Sequence, residues 1–352
     1  MSKDTITRPG GSNGSNSWPE PVTGQGRLRR LLILLRREFW EHRGSFVWAP
    51  VVAAAAFLVL MAVLLIAAHV SDDLNVSATY TVTVTDTLPD GALVRRHETV
   101  THGEEFSMIA SGEWLYLGIM ALFALVGAIV AIVVSFYALG AVHDERRDRS
   151  ILFWRSLPVS DTESMTAKAL SAAVVAPGIG LVVTLLAAVV FLGMLSATVL
   201  LATEFSLGKV WAGADLPQAF LALLATLPVW LIMALPTIGW LLLCSAWVRS
   251  KPFLWAVGTP VAAGLLVSTW ALVSSFDAVE PSLAGWFWKD VVSRLLLGTF
   301  MHEAMPLVAL QSNGPAYMFQ AVANPITLVA AAAGIAMIAV AVVLRSRGEV
   351  AE

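Results

Sequence analysis

The chain has 352 residues, of which 57% are hydrophobic and only 13% charged, with a formal net charge of −3 and a mean hydropathy of +0.76. A soluble domain carries about a quarter charged residues, so an ordinary soluble fold is excluded and a polytopic, all-α membrane protein is expected. The near-neutral total says little about partners, whereas the placement of Lys and Arg along the chain says more.

Residues 1–26 are rich in Ser, Gly, Asn and Pro and are predicted to be a disordered tail. They are not a signal peptide, because the first apolar run begins near residue 46 and is too long for one. From Arg27 to His42, Leu28, Leu31, Leu32, Leu35 and Phe39 recur at three- and four-residue steps. Arg29, Arg30, Arg36, Arg37 and Glu41 take the remaining face. That pattern predicts an amphipathic helix lying in the membrane interface, its arginines towards anionic headgroups. Two roles fit it: a basic anchor that fixes topology, or a lateral brace that also supports a partner.

A bilayer core needs about 20 apolar residues per helix, and six stretches meet that: about 46–68, 115–142, 169–202, 219–247, 253–275 and 323–344. These runs are continuous rather than alternating, which excludes a closed barrel. The first connecting loop, 70–113, has the only strand pattern. Tyr80 to Thr85 alternates, Pro89-Asp-Gly91 is a turn, and Leu93 to Val100 is expected to return as a second strand. Between the fifth and sixth runs, 281–322 carries the cluster Trp286-Phe-Trp288 and the breakers Pro306 and Asn313-Gly-Pro315. Short re-entrant or surface-lying helices are expected there.

Basic residues set the expected orientation. Arg27, Arg29, Arg30, Arg36, Arg37 and Arg43 precede the first run. Arg146, Arg147, Arg149, Arg155 and Lys168 fall between the second and third, Arg249 and Lys251 between the fourth and fifth, and Arg345 and Arg347 after the sixth. The opposite loops hold only Arg95, Arg96, Lys209, Lys289 and Arg294. Both termini are therefore expected in the cytosol.

Several chemistries have no residues to carry them. The chain has no phosphate-cradling Gly-x-x-x-x-Gly-Lys-Ser/Thr. His302-Glu303 starts like a zinc-protease motif, but Pro306 stands where the second ligand belongs. The lone Cys244, inside an apolar run, permits no intrachain disulfide and is expected to be a small apolar filler. The six runs hold hydroxyls such as Ser135, Thr184, Thr226, Thr237, Ser245 and Ser268 but almost no ionisable groups, which argues against an ion-coupled carrier. Pro177, Pro228, Pro236 and Pro260 are expected to bend their helices.

The densest charge run, His143-Asp-Glu-Arg-Arg-Asp-Arg-Ser150, precedes Ile151-Leu-Phe-Trp-Arg-Ser-Leu-Pro158. Acids at its start and Arg149 and Arg155 behind them suit a short surface helix. Ile151, Leu152, Phe153, Trp154 and Leu157 give it an apolar side, and Pro158 ends it. Ser160-Asp-Thr-Glu163 is predicted to be a capping box that starts the next helix. Two explanations compete: aromatics anchoring a solvated loop at the headgroups, or a ball seated on a separate cytosolic protein.

The ordered set formed by Arg36-Arg-Glu-Phe-Trp-Glu41 before the first run, a large first loop, and Phe136-Tyr137 leading into His143 to Ser160 resembles the ABC-2-type permeases, the membrane subunits of ATP-binding-cassette exporters. The resemblance covers nearly all of the chain after the tail, 27–352. It implies an elbow helix at Arg36, Arg37, Glu38, Phe39, Trp40 and Glu41, and an ATPase-coupling turn within the cytosolic loop 143–167. The coupling residues would be Asp144, Glu145, Arg146, Arg147, Asp148, Ile151, Leu152, Phe153, Trp154, Arg155 and Pro158. It further implies a separate ABC ATPase subunit that carries ATP and Mg, a second permease subunit in a homo- or heterodimer, and no catalytic, cofactor or metal site in this chain. The expected setting is the bacterial cytoplasmic membrane, with no nucleic-acid partner and export of an amphipathic or hydrophobic substrate. The alternative is a non-transporting mechanotransmitter or maturation factor driven by the same kind of ATPase.

Overall fold

A computed structural model describes residues 24–70, 79–87, 93–101, 113–148, 160–201, 216–274, 283–300 and 315–347. The expected tail before residue 24, the turn at Pro89–Gly91 and the stretch Ile151–Pro158 of the proposed coupling turn lie outside those residues. Six helices are long and apolar enough to cross a membrane, so the chain is a multi-pass helical membrane protein. In order the elements are α1 (Gly24–Arg43), α2 (Ala49–Val70), β1 (Thr79–Thr87), β2 (Leu93–Thr101), α3 (Glu113–Gly140) and α4 (His143–Arg147), then α5 (Asp161–Leu170), α6 (Ala176–Leu201), α7 (Leu216–Trp247) and α8 (Pro252–Ser274). After these come α9 (Leu283–Trp286), α10 (Ser293–Leu297), α11 (Pro315–Ala323) and α12 (Pro325–Arg347).

The two strands pair antiparallel in one unbroken register, from Thr79 opposite Thr101 to Thr87 opposite Leu93. The helices are more continuous than their sequences suggest. A π-helical turn, Gly44–Trp48, joins α1 to α2, and another, Ser171–Val175, joins α5 to α6 just before Pro177. Each widened turn shifts the helix phase, so the stripe that faces the protein before the turn is not the one that faces it afterwards. Pro228 and Pro236 lie inside α7 and Pro260 inside α8, where each removes one backbone donor without ending its helix.

The bundle is built around α7. In its most apolar stretch 56% of residues are buried, against 11% for the first helix. The peripheral helices α2, α8 and α12 turn Val59, Leu60, Leu266, Leu272, Val329 and Ile335 outwards. Hydrocarbon is as apolar as leucine, so such faces give no drive to pack. What holds α12 on α7 is backbone proximity: a Cβ on Gly239 would land on the Gly334 carbonyl, and one on Gly334 would land on the Leu235 carbonyl. Only glycine permits that approach.

The segment α9–α10, continuous through a π-helical Phe287–Val292 and a 3₁₀ turn Gly298–Phe300, dips deep into the bundle. Trp288 Nε1 donates to Ser268 Oγ of α8 at 2.9 Å. The Thr237 hydroxyl of α7 donates to Arg294 O at 2.6 Å and accepts from Gly298 N at 3.0 Å. Thr299 Oγ1 lies 3.5 Å from Ser135 Oγ of α3. Ser135 is 22 residues into α3, which puts the tip about 33 Å from that helix's first residue at 1.5 Å per residue. The segment also carries ionisable groups inside the bundle, where the six apolar runs have almost none: Arg294 is buried and pairs with Asp290 at 3.4 Å.

Candidate functional site

The α4 end of the bundle gathers four of the buried charges among the described residues, Glu38, Glu145, Lys168 and Arg345. Ser160 caps α5: its hydroxyl accepts from Glu163 N at 3.2 Å, while Glu163 Oε2 accepts from Ser160 N at 3.2 Å. This is the capping box predicted by the sequence, and it fixes the phase of α5 so that Lys168 turns inwards. On α1, Arg30, Glu38 and His42 share one stripe, eight and four residues apart, and that stripe faces the protein. Leu28, Leu32 and Ile33 face outwards at 62%, 58% and 59% exposure. Glu38 is thus the polar residue that α1 commits to the protein, whereas Arg29, Arg36 and Glu41 stay exposed and Leu31, Leu34 and Leu35 are half-buried.

Lys168 Nζ stands 3.0 Å from Glu38 Oε1 and 3.0 Å from Glu145 Oε1. Glu145 Oε2 lies 3.2 Å from Arg345 Nη2, and Arg345 Nε lies 3.3 Å from Asp161 Oδ1. Tyr137 Oη donates to Glu38 Oε2 at 2.8 Å, and His42 Nδ1 is 3.2 Å from the Glu38 carbonyl. Arg30 pairs with Glu163 at 3.0 Å at the edge. Glu38, Glu145, Lys168 and Arg345 are all buried. Each alone would be costly out of water, and the cluster persists because each charge has an opposite neighbour within ion-pair distance. The chain thus ties α1, α3, α4, α5 and α12 together at one level.

Backbone bonds seat α4 on the central helix as well. Val142 N and His143 N both donate to Ser245 Oγ of α7, each at 3.0 Å. Beside α4 opens a cleft of about 400 Å³ whose walls include Glu41, His42, Phe136, Asp144 and Asp148.

The residues expected to couple the chain to a partner divide accordingly. Asp144, Arg147 and Asp148 are exposed, Arg146 is half-buried and Glu145 is buried. Ile151, Leu152, Phe153, Trp154, Arg155 and Pro158 lie outside the described residues. Of the expected elbow set, Arg36, Trp40 and Glu41 are exposed, Arg37 and Phe39 half-buried and Glu38 buried. Glu145 and Glu38 therefore act on the inside of the joint. Sequence reasoning treated Lys168 and Arg345 only as topology markers and missed the meeting of Lys168 with Glu38 and Glu145 and of Arg345 with Glu145 and Asp161. One signal was available: Glu38 stands between Leu34 and His42 on the Arg30 stripe, a charge on a face that must find a partner.

No covalent chemistry is suggested by this set, and among the described residues no group of three or more His, Cys, Asp or Glu could hold a metal ion. What the arrangement does is join elements: Glu145 of α4 is ion-paired to Lys168 of α5 and Arg345 of α12, and Lys168 in turn to Glu38 of α1. No protein-family model matches the chain, and neither does any curated protein or any solved structure.

Proposed function

We propose that this chain is the membrane-spanning permease subunit of an ATP-driven transporter of the ABC-2 type. A separate ATPase subunit docks on the turn that begins at α4, in the cytosol, and a second permease subunit completes the dimer. ATP-driven closure of the ATPase pair pushes that turn and moves the helices tied to it, opening an apolar path for export of an amphipathic or hydrophobic substrate. The setting is the bacterial cytoplasmic membrane with both termini cytosolic, in line with the placement of Lys and Arg. The observation that carries the reading is the division of labour on α4. Asp144, Arg147 and Asp148 offer an exposed charged face, while Glu145 on the same short helix is ion-paired to Lys168 and Arg345 beneath it. A docking element needs both, a face for the partner and a rigid link inwards.

A second reading is favoured by β1 and β2, nine residues each in full register, which is more structure than a connection requires. In that reading the same ATPase drives a non-transporting mechanotransmitter or maturation factor that acts through the hairpin. The experiment common to both is charge reversal on the exposed face, Arg147→Glu with Asp148→Arg, in the chain co-purified with an ABC ATPase encoded beside it. The expected outcome is loss of the permease-dependent stimulation of ATP hydrolysis with membrane insertion intact. Unchanged stimulation would sink the docking proposal. Movement of a hydrophobic dye across proteoliposomes then separates export from the non-transporting reading.

A further inference from the structure

The cleft of about 400 Å³ beside α4 is of a size that holds small molecules, and it changes character along its length. One wall is a stripe at four-residue steps: Ile132, Phe136 and Gly140 of α3, then Asp144 of α4 and Asp148 at its end. The α3 end is apolar, and Ile132 and Phe136 are exposed on the bundle surface, where a membrane protein meets lipid. The α4 end is acidic. Lys168 also lines the cleft, but it is held between Glu38 and Glu145. Glu145 is paired with Arg345 as well, and Glu41, on the opposite wall, with Arg37 at 3.3 Å. Asp144 and Asp148 have no such compensation: neither carboxylate has a hydrogen bond or ion pair among the described residues. The Asp144 carboxylate is also aimed into the cleft. A Cβ on Gly140 would come within 2.5 Å of Asp144 Oδ2, so that oxygen lies back over Gly140, towards the apolar end.

We infer that this cleft is a binding site for a lipophilic monocation, an ammonium carried on an apolar tail. The ammonium sits at Asp144 and Asp148, and the tail runs past Phe136 to Ile132, with Phe46 across from it. Ile132 stands 12 residues before Asp144, about 18 Å at 1.5 Å per residue, which is room for a chain rather than for a single ring. An amphiphile in the adjacent leaflet already lies with its head at the interface and its tail in hydrocarbon, so it enters sideways without turning over. A zwitterionic phospholipid brings a phosphate beside its ammonium, and that phosphate would face the same two carboxylates at a cost. A cation with no anion attached avoids that repulsion. The inference concerns the cleft alone and stands whether or not the chain is a permease.

The full chain in phosphatidylcholine nanodiscs, with no ATPase present, is titrated with radiolabelled dodecyltrimethylammonium, and binding to empty nanodiscs is subtracted. Saturable binding is expected, displaced by the unlabelled cation and far less well by dodecanol, which has the same tail and no charge. Asp144→Asn is expected to weaken it about two- to fivefold, the worth of one exposed ion pair, and Asp144→Lys to abolish it. Asp144 is exposed, so neither substitution disturbs the core. Ser45→Trp, at an exposed position on the opposite wall, is expected to obstruct the cleft and remove binding as well. Absence of saturable binding, or binding indifferent to both Asp144 substitutions, would overturn the site. Displacement by dodecanol as strong as by the cation would overturn the selection for charge. Binding that disappears when phosphatidylethanolamine replaces phosphatidylcholine would assign the cleft to a lipid headgroup and overturn the monocation.

Discussion

Among the described residues, the ion pairs at the α4 end and those in the dipping segment are built differently. At the α4 end, Glu38, Glu145, Lys168 and Arg345 come from four helices far apart in sequence, and no two belong to the same helix. In the dipping segment, Arg294 and Asp290 are four residues apart on one piece of chain, and the ties to other helices are hydrogen bonds, among them Arg294 Nη1 to Thr327 Oγ1 of α12 and Trp288 Nε1 to Ser268 Oγ of α8, each at 2.9 Å. The first group joins elements; the second keeps one element intact and docks it. That difference predicts where motion passes. A displacement at the α4 end has a charged path into α1, α5 and α12, whereas the dipping segment is tied to α7, α8 and α12 by hydrogen bonds from Thr237, Trp288 and Arg294.

The largest expected effect comes from breaking the shared ion. Lys168→Met leaves Glu38 and Glu145 buried beside each other without their common partner, which is expected to cost about 3–5 kcal/mol. The measurement is unfolding free energy in mixed micelles titrated with denaturing detergent. Removing the orphaned carboxylate as well, Lys168→Met with Glu38→Gln, leaves Glu145 paired to Arg345 and is expected to recover most of that loss, because the cost lies in the orphaned charge rather than in the missing attraction. If the double variant is as unstable as Lys168→Met alone, the cluster is held by shape and the comparison fails. Arg294→Met should cost less, about 2 kcal/mol. Asp290 then loses its pair, but the bonds from Thr237 to Arg294 O and from Gly298 N are made by the backbone and survive the substitution. An equal or greater loss than for Lys168→Met would reverse the assignment of joint and dock.

The sequence disclosed the six apolar runs, the capping box at Ser160 and the burial of Cys244, because each is a local pattern read by composition or by a spacing of three or four. The joint was not legible, for a physical reason. Glu145, Lys168 and Arg345 each sit just outside an apolar run, where a basic or acidic side chain is also what a solvated interface requires. Lys168 looks the same in both settings until the phase of α5 is known. The sequence set α1 in the membrane interface with its arginines towards the headgroups; that Glu38 turns from that polar face into the protein depended on the positions of Tyr137 and Lys168. The dip of α9–α10 was half legible: Trp286 to Trp288 marked an interface, but nothing local told that Gly298 would meet the Thr237 hydroxyl. The close approach of Gly239 to Gly334 likewise had only the small residues Ala330 to Gly334 as a sign.

The smallest expected effect sharpens the comparison most. Tyr137→Phe removes one hydroxyl that donates to Glu38 Oε2 and leaves the ring, which packs edge-on against Phe46 and His42. Alone it should cost about 1 kcal/mol, since Lys168 still faces the other Glu38 oxygen. The informative quantity is its coupling to Lys168→Met. If the α4 end is one network, removing Lys168 leaves the Tyr137 hydroxyl as the chief remaining donor to the Glu38 side chain. Tyr137→Phe should then cost more in the Lys168→Met background than in the wild type, by about 0.5–2 kcal/mol. A parallel cycle between Tyr137→Phe and Arg294→Met should give a coupling near zero, because the two groups share no partner. Coupling of similar size in both cycles would mean that the bundle responds as one rigid body, and the α4 end would lose its claim to be the joint.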